Sequence, residues 1–162
     1  MAATRACHLA REALSRRTRH IVWRQILQAI GAWHATGISM FSLIEKQSGQ
    51  WVGRVGPWQP LGWPGTEVGW GMHPDAWGKG FALEAAIASI DYAVDTLGWT
   101  EIIHCIDPEN ARSRAVARRV GARVLRQARL PSPPEQELID VWGQTREEWS
   151  VNRAKALSAR AR

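Results

Sequence analysis

The sequence is poor in the residues that build metal centres and disulfide frameworks. It has two cysteines, Cys7 and Cys105, and five histidines without regular spacing. No Cys-x-x-Cys or His-x-x-x-His pair occurs. We therefore expect neither a structural metal nor a disulfide scaffold. Sparse, unpaired cysteines are typical of a reducing compartment, which favours a cytoplasmic protein.

Long apolar stretches are absent as well. No run is long enough to span a bilayer, so we expect no membrane partner. The first 20 residues are rich in Arg, Ala, Ser and Thr, as in organelle transit peptides. Glu12 and the lack of a cleavage signal favour an exposed, partly amphipathic helix instead.

Two common nucleotide-binding motifs are also missing. The chain has no Gly-x-x-x-x-Gly-Lys-Ser/Thr loop, and Leu83 occupies the third glycine position of a Gly-x-Gly-x-x-Gly pattern. What is present is the pair Gly78 and Gly80, between a strand-like and a strongly helical segment. Free backbone N–H groups and the positive end of the helix dipole make such a turn an anion site. A purely steric need for glycine is the alternative.

Positive charge is concentrated in one stretch of a chain whose net charge is +6. The stretch contains seven arginines: Arg112, Arg114, Arg118, Arg119, Arg123, Arg126 and Arg129. A solvated helix face, a nucleic-acid patch and a patch for a phosphorylated small ligand all fit this pattern. Interleaved aromatic residues, which single-strand binders use, are missing from it.

The periodicity of apolar residues predicts a single α/β domain. Helices are predicted over residues 9–33, 79–97 and 110–120, and strands over 39–45, 51–55, 66–72, 101–106, 123–130 and 138–142. Residues 57–65 and the segment with Pro131, Pro133 and Pro134 are predicted loops, and the charged tail is helical or frayed. This order predicts a central mixed sheet with helices on both faces. Ligands of such sheets bind just outside the carboxyl ends of the strands.

Three segments in this order resemble the GCN5-related N-acetyltransferase (GNAT) superfamily, and more narrowly the branch that acetylates ribosomal-protein N-termini. They are Glu67-Val-Gly-Trp-Gly-Met-His-Pro, Trp77-Gly-Lys-Gly-Phe-Ala-Leu-Glu-Ala-Ala and Asp107-Pro-Glu-Asn-Ala-Arg-Ser-Arg-Ala-Val-Ala-Arg-Arg-Val-Gly. The resemblance implies a three-layer fold around a mixed, mostly antiparallel sheet. It divides the single domain into a helical acceptor-side segment (1–37), an acetyl-CoA-binding core (38–149) and a tail (150–162).

The resemblance also implies a reaction and its binding residues. The acetyl group of acetyl-CoA passes directly to a primary amine, of a protein N-terminus or a small molecule, in a ternary complex. Backbone amides of Gly78, Lys79, Gly80, Phe81 and Ala82 would hold the CoA pyrophosphate, and Trp70, Gly71 and Met72 would pair with the pantetheine arm.

Two polar residues of the third segment take roles from the same resemblance. Asn110 would bond the pantetheine or cysteamine portion, and Ser113 would protonate the leaving thiolate. A helix N-cap and a tolerated surface serine are the alternatives for these two residues.

The general base is sought among carboxylates and histidines near the central strand, since an ammonium must lose a proton before it attacks. Glu67 is the leading candidate, with an ordinary surface or cross-strand glutamate, merely solvated, as the alternative. His104 and His73 are weaker candidates. No acyl-enzyme is required, so Cys105 is predicted to be a core residue. Trp58, Trp63 and Trp70 suggest an aromatic-lined acceptor entrance, or core.

Three departures from the family pattern stand out. Trp77 replaces the Gln or Arg that usually begins the pyrophosphate turn. Tyr92, the one tyrosine, lies on the first sheet-packed helix and cannot be the acid found on the second helix of many relatives. The usual N-terminal edge strand is not found, and an unpaired edge favours a homodimer. A non-catalytic acyl-CoA-binding or regulatory domain, and less so a nucleic-acid binder, remain alternatives.

Overall fold

The computed structural model describes residues 2–131 and 138–160, and side chains over 19–131 and 138–159. Two compact units are present, Met1–Gly37 and Ile38–Arg162. The predicted turn at Pro133 and Pro134 lies outside the described residues, as does the side chain of Cys7. Along the described chain, no helix is both long and apolar enough to cross a membrane.

The first unit is one helix, α1 (Ala2–Thr36). It extends beyond the predicted range of 9–33 at both ends. Gly37 ends it with a positive φ of 69°, and its N–H donates to the carbonyl of Trp33 at 3.0 Å. A residue without a side chain takes this left-handed conformation at little cost, which is why the helix stops there.

In its described residues the second unit contains six strands, three α-helices and a short 3-10 helix (Pro74–Ala76). In chain order they are β1 (Phe41–Ile44), β2 (Trp51–Trp58), β3 (Glu67–Met72), α2 (Phe81–Asp95), β4 (Glu101–Ile106), α3 (Ala111–Arg119), β5 (Arg123–Arg129), β6 (Leu138–Thr145) and α4 (Arg146–Arg160). The strand order in the sheet is β1-β2-β3-β4-β6-β5. All neighbours are antiparallel except β3 and β4, which are parallel. The predicted mixed, mostly antiparallel sheet is confirmed.

Two predicted boundaries, one before and one after β3, are wrong. Pro57 and Trp58 belong to β2 rather than to a loop. Proline is tolerated there because the pairing of β1 with β2 stops at Val55, which leaves β2 without a partner on that side. The helix predicted from Lys79 begins at Phe81, because Gly80 has a φ of 83° and cannot be helical.

The carboxyl-terminal segment is helical and well packed rather than frayed. Trp149 of α4 is 2% exposed, and its indole N–H donates to Asp91 of α2 at 3.0 Å. Arg153 makes a two-nitrogen ion pair with the same carboxylate, at 2.8–3.0 Å. Ala156 is fully buried. Residues of the predicted tail therefore complete the core.

The main core lies between one face of the sheet and the three helices α2, α3 and α4. Val68, Ile102 and Trp142 come from the sheet, and the helices contribute residues such as Ile90 and Val120. A smaller apolar cluster on the opposite face is centred on three strand residues, Ile103, Ile139 and Val141. Alternate residues of β3 and β4 therefore face two different environments.

Candidate active site

The parallel strands β3 and β4 pair at one position only and then separate. Glu67 is the partner of Ile103, and the N–H of Ile103 donates to the carbonyl of Thr66 at 2.9 Å. In a continuous parallel ladder the next bond would join the N–H of Cys105 to the carbonyl of Val68. That bond is replaced, so the two strands open towards their carboxyl ends.

Two side chains fill the positions of the missing ladder bond. The Glu67 carboxylate accepts the N–H of Cys105 at 3.1 Å, and His104 Nδ1 lies 2.7 Å from the carbonyl oxygen of Val68. Each side chain satisfies a backbone group that would otherwise be buried without a partner. The strand separation is therefore built into the sequence of β3 and β4.

A cavity of about 40 Å³ lies in the opening between the strands. It is lined by Glu67, Val68, Gly69, Trp70, His104, Cys105, Ile106 and Ser113. The structure thus brings together three of the residues predicted from sequence, Glu67, Trp70 and Ser113.

The backbone of β3 directs polar groups into the same opening. Peptide groups of a strand point alternately to its two neighbours, and the carbonyls of Thr66 and Val68 point to β4. The N–H and C=O of Trp70 and the N–H of Met72 therefore point into the opening. Gly71, also predicted to contact pantetheine, turns its peptide groups to β2, where its partner is Arg54.

Glu67 is buried, with 6% of its surface exposed, so the alternative of a solvated glutamate is wrong. Its carboxylate also accepts the indole N–H of Trp63. Burial raises its pKa to about 7, against the lowering effect of the hydrogen bonds from Cys105 and Trp63. A carboxylate with a pKa near neutrality can accept a proton and release it again at physiological pH.

The absence of a side chain at Gly69 leaves space for the Glu67 carboxylate. A Cβ added at Gly69 would lie 3.2 Å from Glu67 Oε1 and 2.8 Å from Met40 Cε. Sequence reasoning missed this role and that of Trp63. The only available signal was a glycine inside a strand, which indicates the close approach of another group.

His104 is buried in the sheet and uncharged. Its surface is 1% exposed, and burial lowers its pKa to about 4. Because a carbonyl only accepts, Nδ1 carries the hydrogen and Nε2 is left as an acceptor without a partner. The indole N–H of Trp70 is likewise buried and unpartnered, and the two rings lie 4.8 Å apart. These properties do not suit His104 to bind an ammonium proton.

The three tryptophans predicted to share an acceptor entrance do not share one face of the sheet. Trp58 is the cross-strand partner of Glu67, and it meets Trp63 edge to face at 6.5 Å. Trp70 packs instead against the helix-covered core.

Cys105 is not suited to act as a nucleophile. Burial raises the pKa of its thiol, which therefore does not ionise readily.

The glycine turn follows β3 and precedes α2. Gly78 and Gly80 have φ angles of 76° and 83°, and a Cβ added at either would meet no atom within 4 Å. Backbone conformation rather than crowding therefore requires glycine here. Lys79, Phe81 and Ala82 complete the turn and the first residues of α2, whose leading N–H groups have no partner within the helix.

Asn110 and Ser113 lie at the start of α3, directly after β4. Asn110 is the N-cap, and its Oδ1 accepts the N–H of Ser113 at 3.0 Å. The cap leaves the two hydrogens of the Asn110 amide nitrogen for another partner. The amino ends of α2 and α3 thus flank the opening at the carboxyl ends of β3 and β4.

The arginine-rich stretch does not act as one patch. Arg114 donates to the carbonyl of Pro108 at 3.0 Å, and Arg126 donates to that of Pro64 at 2.8 Å. Arg123 pairs with Glu148. Arg118 lies over the Trp142 ring, with Cζ 5.4 Å from its centroid.

The family described as an acetyltransferase (GNAT) domain matches residues 4–123. YkkB, an uncharacterized protein of Bacillus subtilis (strain 168), is 32% identical over 87 residues, which are 52% of this chain and 51% of YkkB. The chain spans about half the length of the curated relatives it matches.

Solved structures show the same fold. An acetyltransferase from Agrobacterium tumefaciens str. C58 is 27% identical with a TM-score of 0.64, over 76% of this chain and 70% of that one. Mycobacterium smegmatis RimJ, solved in complex with CoA-disulfide, is 25% identical with a TM-score of 0.64, over 86% and 68% of the two chains. The family match covers most of the sequence, and the chain therefore belongs to the GNAT acetyltransferase family.

Proposed function

We propose that this protein transfers the acetyl group of acetyl-CoA directly to a primary amine. The observation that carries the proposal is the opening between β3 and β4, which contains a buried carboxylate, Glu67, whose pKa is near 7. The amino ends of α2 and α3, which would bind anions, lie at the same end of these strands. Family membership and the CoA compound bound to the RimJ relative support the choice of acetyl-CoA.

Acetyl-CoA would be held by backbone groups. The N–H groups of the turn 78–82 would bind the diphosphate, at the positive end of α2. The free carbonyl of Trp70 and the free N–H of Met72 would pair with the amides of the pantetheine arm as an additional strand does. The Asn110 amide nitrogen is placed to donate to the same arm while its oxygen caps α3.

The reaction forms one C–N bond and breaks one C–S bond. Glu67, deprotonated above its pKa of about 7, would take the proton of the substrate ammonium, directly or through a water molecule. The neutral amine then attacks the thioester carbonyl carbon, and the N–H of Trp70 would donate to the oxyanion. Ser113 would give its proton to the departing CoA thiolate and regain one, through water, from the second proton that the attacking nitrogen loses.

The acceptor is proposed to approach on the Glu67 side of the sheet, past Trp58 and Trp63. An amine on a protein N-terminus is our first choice, in line with the sequence resemblance to ribosomal-protein acetyltransferases. A small amine is the second. A cytoplasmic location and a homodimer joined along β1, which ends the described sheet on one side, are further proposals.

The test is an acetyl-transfer assay with acetyl-CoA and a panel of N-terminal peptides and small amines, following CoA release. We expect turnover with at least one acceptor, and a fall of about 100-fold or more in kcat for Glu67→Gln. Glu101→Gln is the control, because Glu101 is an exposed carboxylate of β4. Binding of acetyl-CoA without turnover of any acceptor would favour the non-catalytic alternative. Equal activity of Glu67→Gln and wild type would remove Glu67 as the base.

A further inference from the structure

Trp77 begins the glycine turn, directly before Gly78. Its single donor is already used, because the indole N–H donates to the carbonyl of Met72 at 3.1 Å. The Trp77 side chain therefore offers no hydrogen bond to an anion in the turn. The ring is nevertheless 46% exposed and lies next to Gly78.

The guanidinium of Arg112, on α3, covers this ring. Cζ of Arg112 lies 3.9 Å from the centroid of the Trp77 ring, which is close contact for a cation over an aromatic face. Arg112 is in the first turn of α3, so the contact connects the start of α3 to the turn that precedes α2.

The Arg112 guanidinium uses none of its donors within the described part of the protein. It makes no hydrogen bond or ion pair there, whereas Arg114, Arg123 and Arg126 donate to protein oxygens. A planar group with five N–H donors is thus held in place by stacking and remains free to bond. Phosphate oxygens are the acceptors that such a fork fits best.

From this geometry we propose that Arg112 is a phosphate-binding residue for the diphosphate of CoA, and that Trp77 positions it. Arg112 would thereby provide hydrogen-bond donors beside the turn, where the Trp77 indole has none free. It rests on the proposed function, since it assigns a further residue to the same cofactor site. Arg112 was singled out by no motif, because its stacking partner is 35 residues away in the sequence.

The test is calorimetric titration of CoA and dephospho-CoA, which lacks the 3′-phosphate, into wild type and variants. We expect Arg112→Met to weaken both ligands by a similar factor of about tenfold. Arg112→Lys should recover only part of the loss, because an ammonium neither stacks nor bonds as a fork. Trp77→Leu should weaken binding, and adding Arg112→Met to it should cost less than in the wild type. Lys155→Met, which removes an exposed positive charge from α4, is the control.

Three results would overturn the proposal. Wild-type affinity in Arg112→Met would show that the guanidinium meets no phosphate. A loss seen with CoA but not with dephospho-CoA would assign Arg112 to the 3′-phosphate instead. Full affinity in Arg112→Lys would show that a positive charge suffices and that stacking on Trp77 positions nothing. Failure of the wild type to bind either ligand would instead contradict the proposed function.

Discussion

The two halves of the site are built in different ways. The cofactor half consists of short sequence segments that each form their own structure, such as Gly78 to Gly80 and the Asn110 cap. The base half also needs a distant segment, because Glu67 bonds to the backbone of Cys105 on another strand, in addition to its local neighbours Trp63 and Gly69. Because its residues are neighbours in the sequence, the first half can be predicted from the sequence. The second half becomes visible only when the sheet has formed.

The largest effect is expected from a charge placed in the cofactor half. Gly80→Glu puts a carboxylate where the diphosphate would approach, and like charges in such contact cost several kcal/mol. We expect acetyl-CoA to bind at least about 100-fold more weakly by calorimetry.

Gly98→Glu is the matched control for this change. Gly98 also has a positive φ, 70°, with no atom within 4 Å of an added Cβ, but it lies beyond the other end of α2. Its variant should lose similar stability and keep its affinity for acetyl-CoA. Equal affinities in the two variants would argue against the turn as the phosphate site.

The base half should appear in the pH dependence of stability. The Glu67 pKa is raised from 4.5 to about 7, so the unfolded chain loses this proton first and stability falls as pH rises between those values. The His104 pKa is lowered from 6.5 to about 4, so its contribution rises with pH over that window. Each effect amounts to about 3 kcal/mol, and they oppose each other between pH 4.5 and 6.5.

Replacing either Glu67 or His104 should therefore reveal the effect of the other residue on the pH dependence of stability. In urea unfolding at several pH values, Glu67→Gln should gain stability as pH rises from 4 to 6.5, and His104→Gln should lose it from 4.5 to 7. The wild type should change less than either variant. Parallel profiles for wild type and Glu67→Gln would mean that this carboxyl titrates as in an exposed position.

A smaller effect is expected from a single methyl group beside the base. Gly69→Ala brings a Cβ against Glu67 Oε1 and Met40 Cε, which displaces the carboxylate. We expect kcat to fall about tenfold with acetyl-CoA affinity retained. Gly71→Ala is the comparison on the same face, because its Cβ would make only an ordinary 3.7 Å contact with Arg54. A similar fall in both variants would point to general damage to β3.

The smallest effect separates the two uses of Asn110. Asn110→Asp keeps an oxygen for the cap but loses the N–H donors, whereas Asn110→Ala loses both. We expect Asn110→Ala to lose about 1 kcal/mol of stability, and Asn110→Asp to keep it. Both should bind acetyl-CoA a few-fold more weakly. Full affinity in Asn110→Asp would limit this residue to capping.

The sequence predicted most of the fold because β4, the turns and the caps depend on neighbouring residues. It did not show that Pro57 continues β2, since the free edge that tolerates proline arises from where β1 ends. Glu67 was identified as the base candidate from its strand. Its burial, which raises its pKa, could not be predicted, because residues such as Trp63 and Cys105 enclose the side chain only in the folded sheet. The contact of Arg112 with Trp77 likewise needs the folded sheet.

Amide hydrogen exchange with and without acetyl-CoA tests the central claim most directly, because it locates the ligand on the backbone. The account predicts slower exchange at Trp70, at Met72 and across residues 78–82, with the exposed strand β5 unchanged. Acetyl-CoA that binds without protecting these amides, or that protects β5 instead, would contradict a cofactor site in the opening between β3 and β4.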